Sequence, residues 1–165
     1  MKENSKALAY GAVSSALCTV ILYLGSVLPS ARLALLCISS LGVVLMALRF
    51  DGRCALAVYA VTAALALLVL PGKAMALAYA LLPGWYPLIK LRLERLKTAM
   101  QRYAAKFLAA NVVLLPAFLL GRSYFAAMPL PLWQILVAGE AVFLLYDYAL
   151  TQIILLYMRK IAGRI

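Results

Sequence analysis

Histidine is absent from this chain of 165 residues, and only five residues carry a negative charge. Without an imidazole, no Ser–His or Cys–His nucleophile can be assembled. There are three cysteines, Cys18, Cys37 and Cys54, each in or at the edge of a different apolar block, and no CxxC pair. That spacing argues against a zinc site or a disulfide framework, and the thiols read as small packing residues. No GxxxxGK[ST] loop occurs, so the chain is not expected to drive anything with ATP by itself. No catalytic residue, metal or cofactor is therefore expected, and the chain is read as a non-enzyme.

What the sequence has instead is apolar length. Apolar residues make up 67% of the chain, against about half in a soluble domain, and the mean hydropathy is +1.01. They fall into six blocks, each close to the ~20 residues of helix that cross a bilayer core. The expected class is an all-α integral membrane protein of six transmembrane helices, in a single domain over residues 1–165. The spans read as 7–28, 33–48, 54–70, 73–96, 103–120 and 132–158. The first is followed by five more and lacks a cleavage signature, so it is expected to remain as a span. Pro83, Gly84 and Pro87 interrupt the fourth block, and a proline removes a helix hydrogen bond, so a kink or break is expected there.

A net charge of +11 raises nucleic acid or anionic lipid as partners. The cations sit at the ends of apolar blocks, which favours lipid headgroups and topology over nucleic acid. With six spans and the N-terminus inside, thirteen basic residues are cytoplasmic and three (Arg32, Lys73 and Arg122) are outside. Such a bias predicts both termini on the cytoplasmic side of a plasma membrane.

The inner segment between the fourth and fifth spans is the most basic, with Lys90, Arg92, Arg95, Lys97, Arg102 and Lys106 against Glu94. Ile89, Leu93, Leu96, Met100, Tyr103 and Phe107 recur at alternating spacings of four and three, as along one face of a helix. That seam reads either as a solvated helix end at the headgroup level or as a docking surface. No glycine or proline lies between Leu88 and Leu115, so nothing marks the turn between the two spans.

Two groups of residues are candidates for function. In the first span Ala7, Gly11, Ser15 and Thr19 fall four apart, with Ala12 and Ala16 beside them. Small residues at this spacing let a second backbone approach closely in lipid. The stripe reads either as internal packing or as the contact face for a partner subunit. The second group contains charges in the sixth span, which are costly in a bilayer. Glu140 and Asp147 are seven residues apart, on one helix face with Thr151. Counted from Leu132 they lie ~12 Å and ~22 Å down at 1.5 Å per residue. Lys90, counted from Lys73, reaches ~25 Å, which makes a Lys90–Asp147 ion pair feasible, with Asn111 at similar depth. An outer-face cavity lined by Arg32, Tyr79, Tyr124, Trp133, Gln134 and Glu140 is the other expectation. Trp133 and Tyr124 read equally as interfacial anchors.

A basic chain of this size, with six helices, both termini inside and a small-residue first helix, resembles the substrate-binding S components of energy-coupling-factor (ECF) transporters. LPSARLALL after the first span is similar to their outer loop leading into the second helix. The run Gly84-Trp85-Tyr86-Pro87-Leu88-Ile89-Lys90, followed by Glu94-Arg95, also resembles a pattern in small uncharacterised membrane proteins of S-component type. The resemblance implies a membrane coupling subunit gripping the Ala7–Thr19 stripe, two ATPases supplying energy, and a small vitamin-like ligand bound near the outer face. No vitamin-binding motif accompanies it. The readings that compete with it are a proton- or ion-coupled carrier using Glu140 and Asp147, and a scaffold docking partners through residues 88–107.

Overall fold

In a bilayer core no water is present to satisfy backbone N–H and C=O groups, so a chain this apolar is driven into helix. The computed structural model describes residues 2–81, 83–94, 98–120 and 131–162, and among them regular structure is helical, with no strand. Five stretches are long and apolar enough to cross a bilayer: Ser5–Val27, Pro29–Arg49, Gly52–Val69, Lys73–Leu93 and Val137–Arg159. This is the make-up of a multi-pass membrane protein. The chain divides into two compact units, Met1–Arg95 and Leu96–Ile165.

The first unit contains α1 (Lys2–Val27), α2 (Arg32–Ser39), α3 (Leu41–Arg49), α4 (Gly52–Val69), α5 (Lys73–Leu81) and α6 (Tyr86–Leu93). α1 lies against α4, α2 and α3, and α4 carries α3 and α5 on its flanks. One apolar cluster gathers Leu22, Ala66, Leu70, Met75, Ala76 and Tyr79, and a second gathers Val43, Met46, Ala55 and Val58. Small residues set these distances. A Cβ on Gly42 of α3 would collide with the Cys18 thiol of α1, so glycine lets the two helices close up.

The second apolar block, expected as one helix over 33–48, is two. Ser39 and Ser40 bond back to the carbonyls of Leu36 and Cys37, each at 2.7 Å, and the helix is interrupted between α2 and α3. Serine bonding back in this way bends a helix without leaving a polar group bare. The opposite end of α3 is pinned by Arg49, whose guanidinium stands 4.3 Å from the Tyr10 ring centre on α1, a cation–π contact. Asp51 then caps α4, its carboxylate accepting from the Gly52 N–H at 2.6 Å.

The break expected at Pro83–Pro87 separates α5 from α6. Ending a helix inside a membrane strands its last carbonyls, and three of them are taken up here. Tyr79 O accepts from Gly84 N at 2.9 Å, Ala80 O accepts from the Tyr59 hydroxyl at 2.9 Å, and Leu81 O accepts from the Trp85 indole. Gly84 is needed for the approach: a Cβ there would lie 2.8 Å from Tyr79 O and 2.6 Å from the Tyr59 ring. Pro87 falls in the first turn of α6, where its missing N–H has no helical partner to lose.

The second unit contains α7 (Ala99–Leu120) and a helix here numbered α8 (Leu132–Ala162). α7 continues through Pro116 and, at 22 residues, spans ~33 Å at 1.5 Å per residue. α6 ends at Leu93 and α7 begins at Ala99. The apolar seam expected on one continuous helix face is thus divided between two helices, and its later members Met100, Tyr103 and Phe107 are exposed.

Candidate binding site

Charge within an apolar helix is the most informative feature of the second unit. Asp147 of α8 meets Lys106 of α7, Nζ to Oδ2 at 3.0 Å, with side chains only 13% and 11% exposed. Thr151 turns its hydroxyl back to the Asp147 carbonyl at 2.8 Å, leaving the carboxylate to face across to α7. Beside the pair is a cavity of about 320 Å³ lined by Tyr103, Lys106, Phe107, Phe143, Leu144 and Asp147, with Ala104 leaving room on the α7 side. An ion pair at the wall of an otherwise apolar and aromatic cavity can hold polar groups of a small molecule while the rings cover its apolar part.

A cation in contact with Asp147 is Lys106. Sequence reasoning missed it as a site residue because it follows Lys97 and Arg102 and was grouped with the inner basic segment. Its position in the second turn of a span, followed by FLAANVVLL, was the available signal. Lys90 lies in the first unit, 0% exposed in α6, with its Nζ 3.7 Å from Glu94 one turn on. Arg92 is exposed and Arg102 half-buried, whereas Arg95 and Lys97 lie outside the described residues.

The remaining candidates are scattered. Glu140 is half-buried on α8, with Oε2 enclosed and without a hydrogen-bond partner. Asn111 spends its amide on the Phe107 carbonyl at 3.0 Å, within α7. Trp133 and Gln134 are exposed at the start of α8. Of the first-unit candidates, Arg32 is exposed at the start of α2, and Tyr79 is wholly buried in the core. Tyr124 lies outside the described residues. The outer-face set thus divides between the two units.

The small-residue stripe of α1 faces largely inward. Ser15 and Thr19 are buried, and Gly11 points at Val58 and Met46, so these positions serve packing within the unit. Ala12 and Ala16 are exposed, and Ala7 is half-buried. Ala7, Gly11, Ala12 and Ser15 line one side of a shallow groove, with Ala57 and Val61 of α4 opposite. Among the described residues no cluster of His, Cys, Asp or Glu could hold a metal ion. Comparison of the chain with protein-family models, curated proteins and solved structures found no match in any of the three.

Proposed function

We propose that this chain is a membrane transport subunit that binds a small, vitamin-like molecule and is energised by partners, in the manner of the S components of ECF transporters. It sits in the plasma membrane with six spans and both termini cytoplasmic, α7 being the fifth span along the chain. The excess of basic residues on one side supports that orientation. The observation that carries the binding role is the Lys106–Asp147 pair at 3.0 Å beside a cavity of about 320 Å³. A pair of charges inside a span is retained at a cost unless it serves a ligand, an ion or a specific helix contact. The exposed edge of α1 at Ala12 and Ala16, with the groove beside it, supplies room for a helix of a membrane coupling subunit.

Purification from native membranes tests this reading. A membrane coupling subunit and ATPases are expected to accompany the chain, and a quantitative purification that recovers neither overturns it.

A second reading is favoured by the depth of the pair. Counted from Val137, where the membrane-crossing stretch begins, Asp147 lies ~15 Å along the helix at 1.5 Å per residue, at the middle of a ~30 Å core. A ligand held at the midplane suits a carrier that alternates its access. Glu140, with an enclosed and unpartnered Oε2 two turns nearer the outer end, would then be the proton- or ion-binding carboxylate. Uptake that an uncoupler abolishes, and that persists without any ATPase partner, selects this carrier.

A further inference from the structure

We propose that the ends of α1 and α3 at Lys6, Tyr10 and Arg49 form a binding site for one anionic phospholipid. Its phosphate is held by Arg49 and Lys6, and an acyl chain lies along the exposed apolar face of α1. The inference needs only a chain that crosses a bilayer and is independent of any transport role.

Arg49 is held by rings. Its guanidinium stands 4.3 Å from the Tyr10 ring centre and 5.9 Å from that of Phe50, and the two rings are 5.7 Å apart. Among the described residues, neither Arg49 nor Lys6 is in ion-pair contact with a carboxylate. Asp51, two residues on from Arg49, accepts instead from the Gly52 N–H at 2.6 Å. A ring attracts a cation through its face but offers no lone pair to its N–H groups. Arg49 is exposed, so its forked donors are kept in place and left for an acceptor from outside. A phosphate suits that fork, taking two parallel N–H bonds as well as the charge. Lys6, exposed one turn from Tyr10 on α1, brings a second cation to the same end.

The apolar half of the site follows from spacing. Lys6, Tyr10, Val13, Leu17 and Val20 are separated by four, three, four and three residues, so they share one helix face, and all five are exposed. Leu45 repeats the arrangement on α3, exposed one turn before Arg49. From Tyr10 to Val20 is ~15 Å at 1.5 Å per residue, half of a ~30 Å core and thus the depth of one leaflet. Cations at the end, a ring next and bare apolar side chains beyond match the order of groups in a phospholipid. An acidic protein segment would meet the cations and leave the apolar face bare; an apolar helix would do the opposite. A zwitterionic lipid has the same phosphate but sets its own cation beside Lys6 and Arg49, so a lipid of net negative charge is preferred.

The test uses the purified full-length chain in detergent, with dioleoylphosphatidylglycerol and dioleoylphosphatidylcholine as probes and native mass spectrometry as the readout. The first phosphatidylglycerol is expected to bind about tenfold tighter than the first phosphatidylcholine; equal binding overturns the proposal. Lys6→Gln/Arg49→Gln is expected to abolish the preference. Arg92→Gln/Arg159→Gln, which removes the same charge from exposed positions elsewhere, is expected to keep it. A preference that survives the first change, or falls equally with the second, reflects general attraction to a basic protein and overturns the site. If the first double variant does not fold, Lys6→Gln alone, at an exposed residue, is expected to weaken the preference about threefold, and no change there overturns the assignment. Tyr10→Leu retains both cations and removes the ring under Arg49; it is expected to lower the preference about threefold, and an unchanged value overturns the role given to the ring. A benzophenone photo-crosslinker carried at Val13 identifies the occupant in native membranes. An adduct with the mass of an anionic phospholipid is expected, and one with a second copy of the chain, another polypeptide or a zwitterionic lipid overturns the proposal.

Discussion

Two ion pairs of the chain are built on different plans. Lys90 and Glu94 are one turn apart on α6 and at its end, with a separation of 3.7 Å. Lys106 and Asp147 are 41 residues apart and close to 3.0 Å between two helices. The first pair is settled within one stretch of backbone. The second exists only if α7 and α8 hold their register, so it reports on tertiary structure and can be opened by something entering between the helices. Several hydroxyls of the first unit follow the local plan: those of Thr19, Ser39 and Ser40 all bond to carbonyls of the preceding turn.

Substitution tests that contrast most severely at Asp147. Asp147→Ala is expected to destabilise the second unit by about 3–5 kcal/mol by removing the carboxylate 3.0 Å from the largely buried Lys106, read as thermal unfolding in detergent. A loss well under that would show that the interhelical pair is no more demanding than the local one. The double change Lys106→Met/Asp147→Leu should restore most of the stability.

At the α5–α6 break, Gly84→Ala is expected to cost about 1–3 kcal/mol, because the new methyl meets a backbone carbonyl that cannot move aside. Tyr59→Phe should follow at about 1 kcal/mol for the Ala80 carbonyl it leaves bare. Faster deuterium uptake confined to α5 and α6 would locate the effect in the break. Smallest is Glu94→Gln, expected to cost about 1 kcal/mol or less, because the amide oxygen can still accept from the buried Lys90. A larger loss there would erase the distinction between the two pairs.

How far the sequence announced these features depends on where their causes lie. Pro83 and Pro87 lack an N–H wherever they occur, so the break between α5 and α6 was readable directly, as were the ends at Arg49–Asp51 and Pro71. The interruption at Ser40 was not, because a serine hydroxyl bonds back in some helices and faces outward in others. Spacing also announced the stripe from Ala7 to Thr19. It could not say which way the stripe faced, since a helix has the same period whether its small residues meet a neighbour in the chain or one outside it. Asp147 was legible as a costly charge. Its contact with Lys106 was not, because residues 106 and 147 meet only through the packing of α7 on α8. The turn after Leu93 carried neither glycine nor proline, and charge density alone did not date it.

Self-bonded hydroxyls also bear on how such a chain is made. A span whose serines and threonines are satisfied by its own backbone can leave the insertion machinery alone and wait in lipid for its neighbours. A helix bearing Lys106, or one bearing Asp147, pays a desolvation penalty until the other arrives. α7 and α8 therefore gain most by entering the bilayer together, so their insertion is the step at which this protein depends on its two charges meeting.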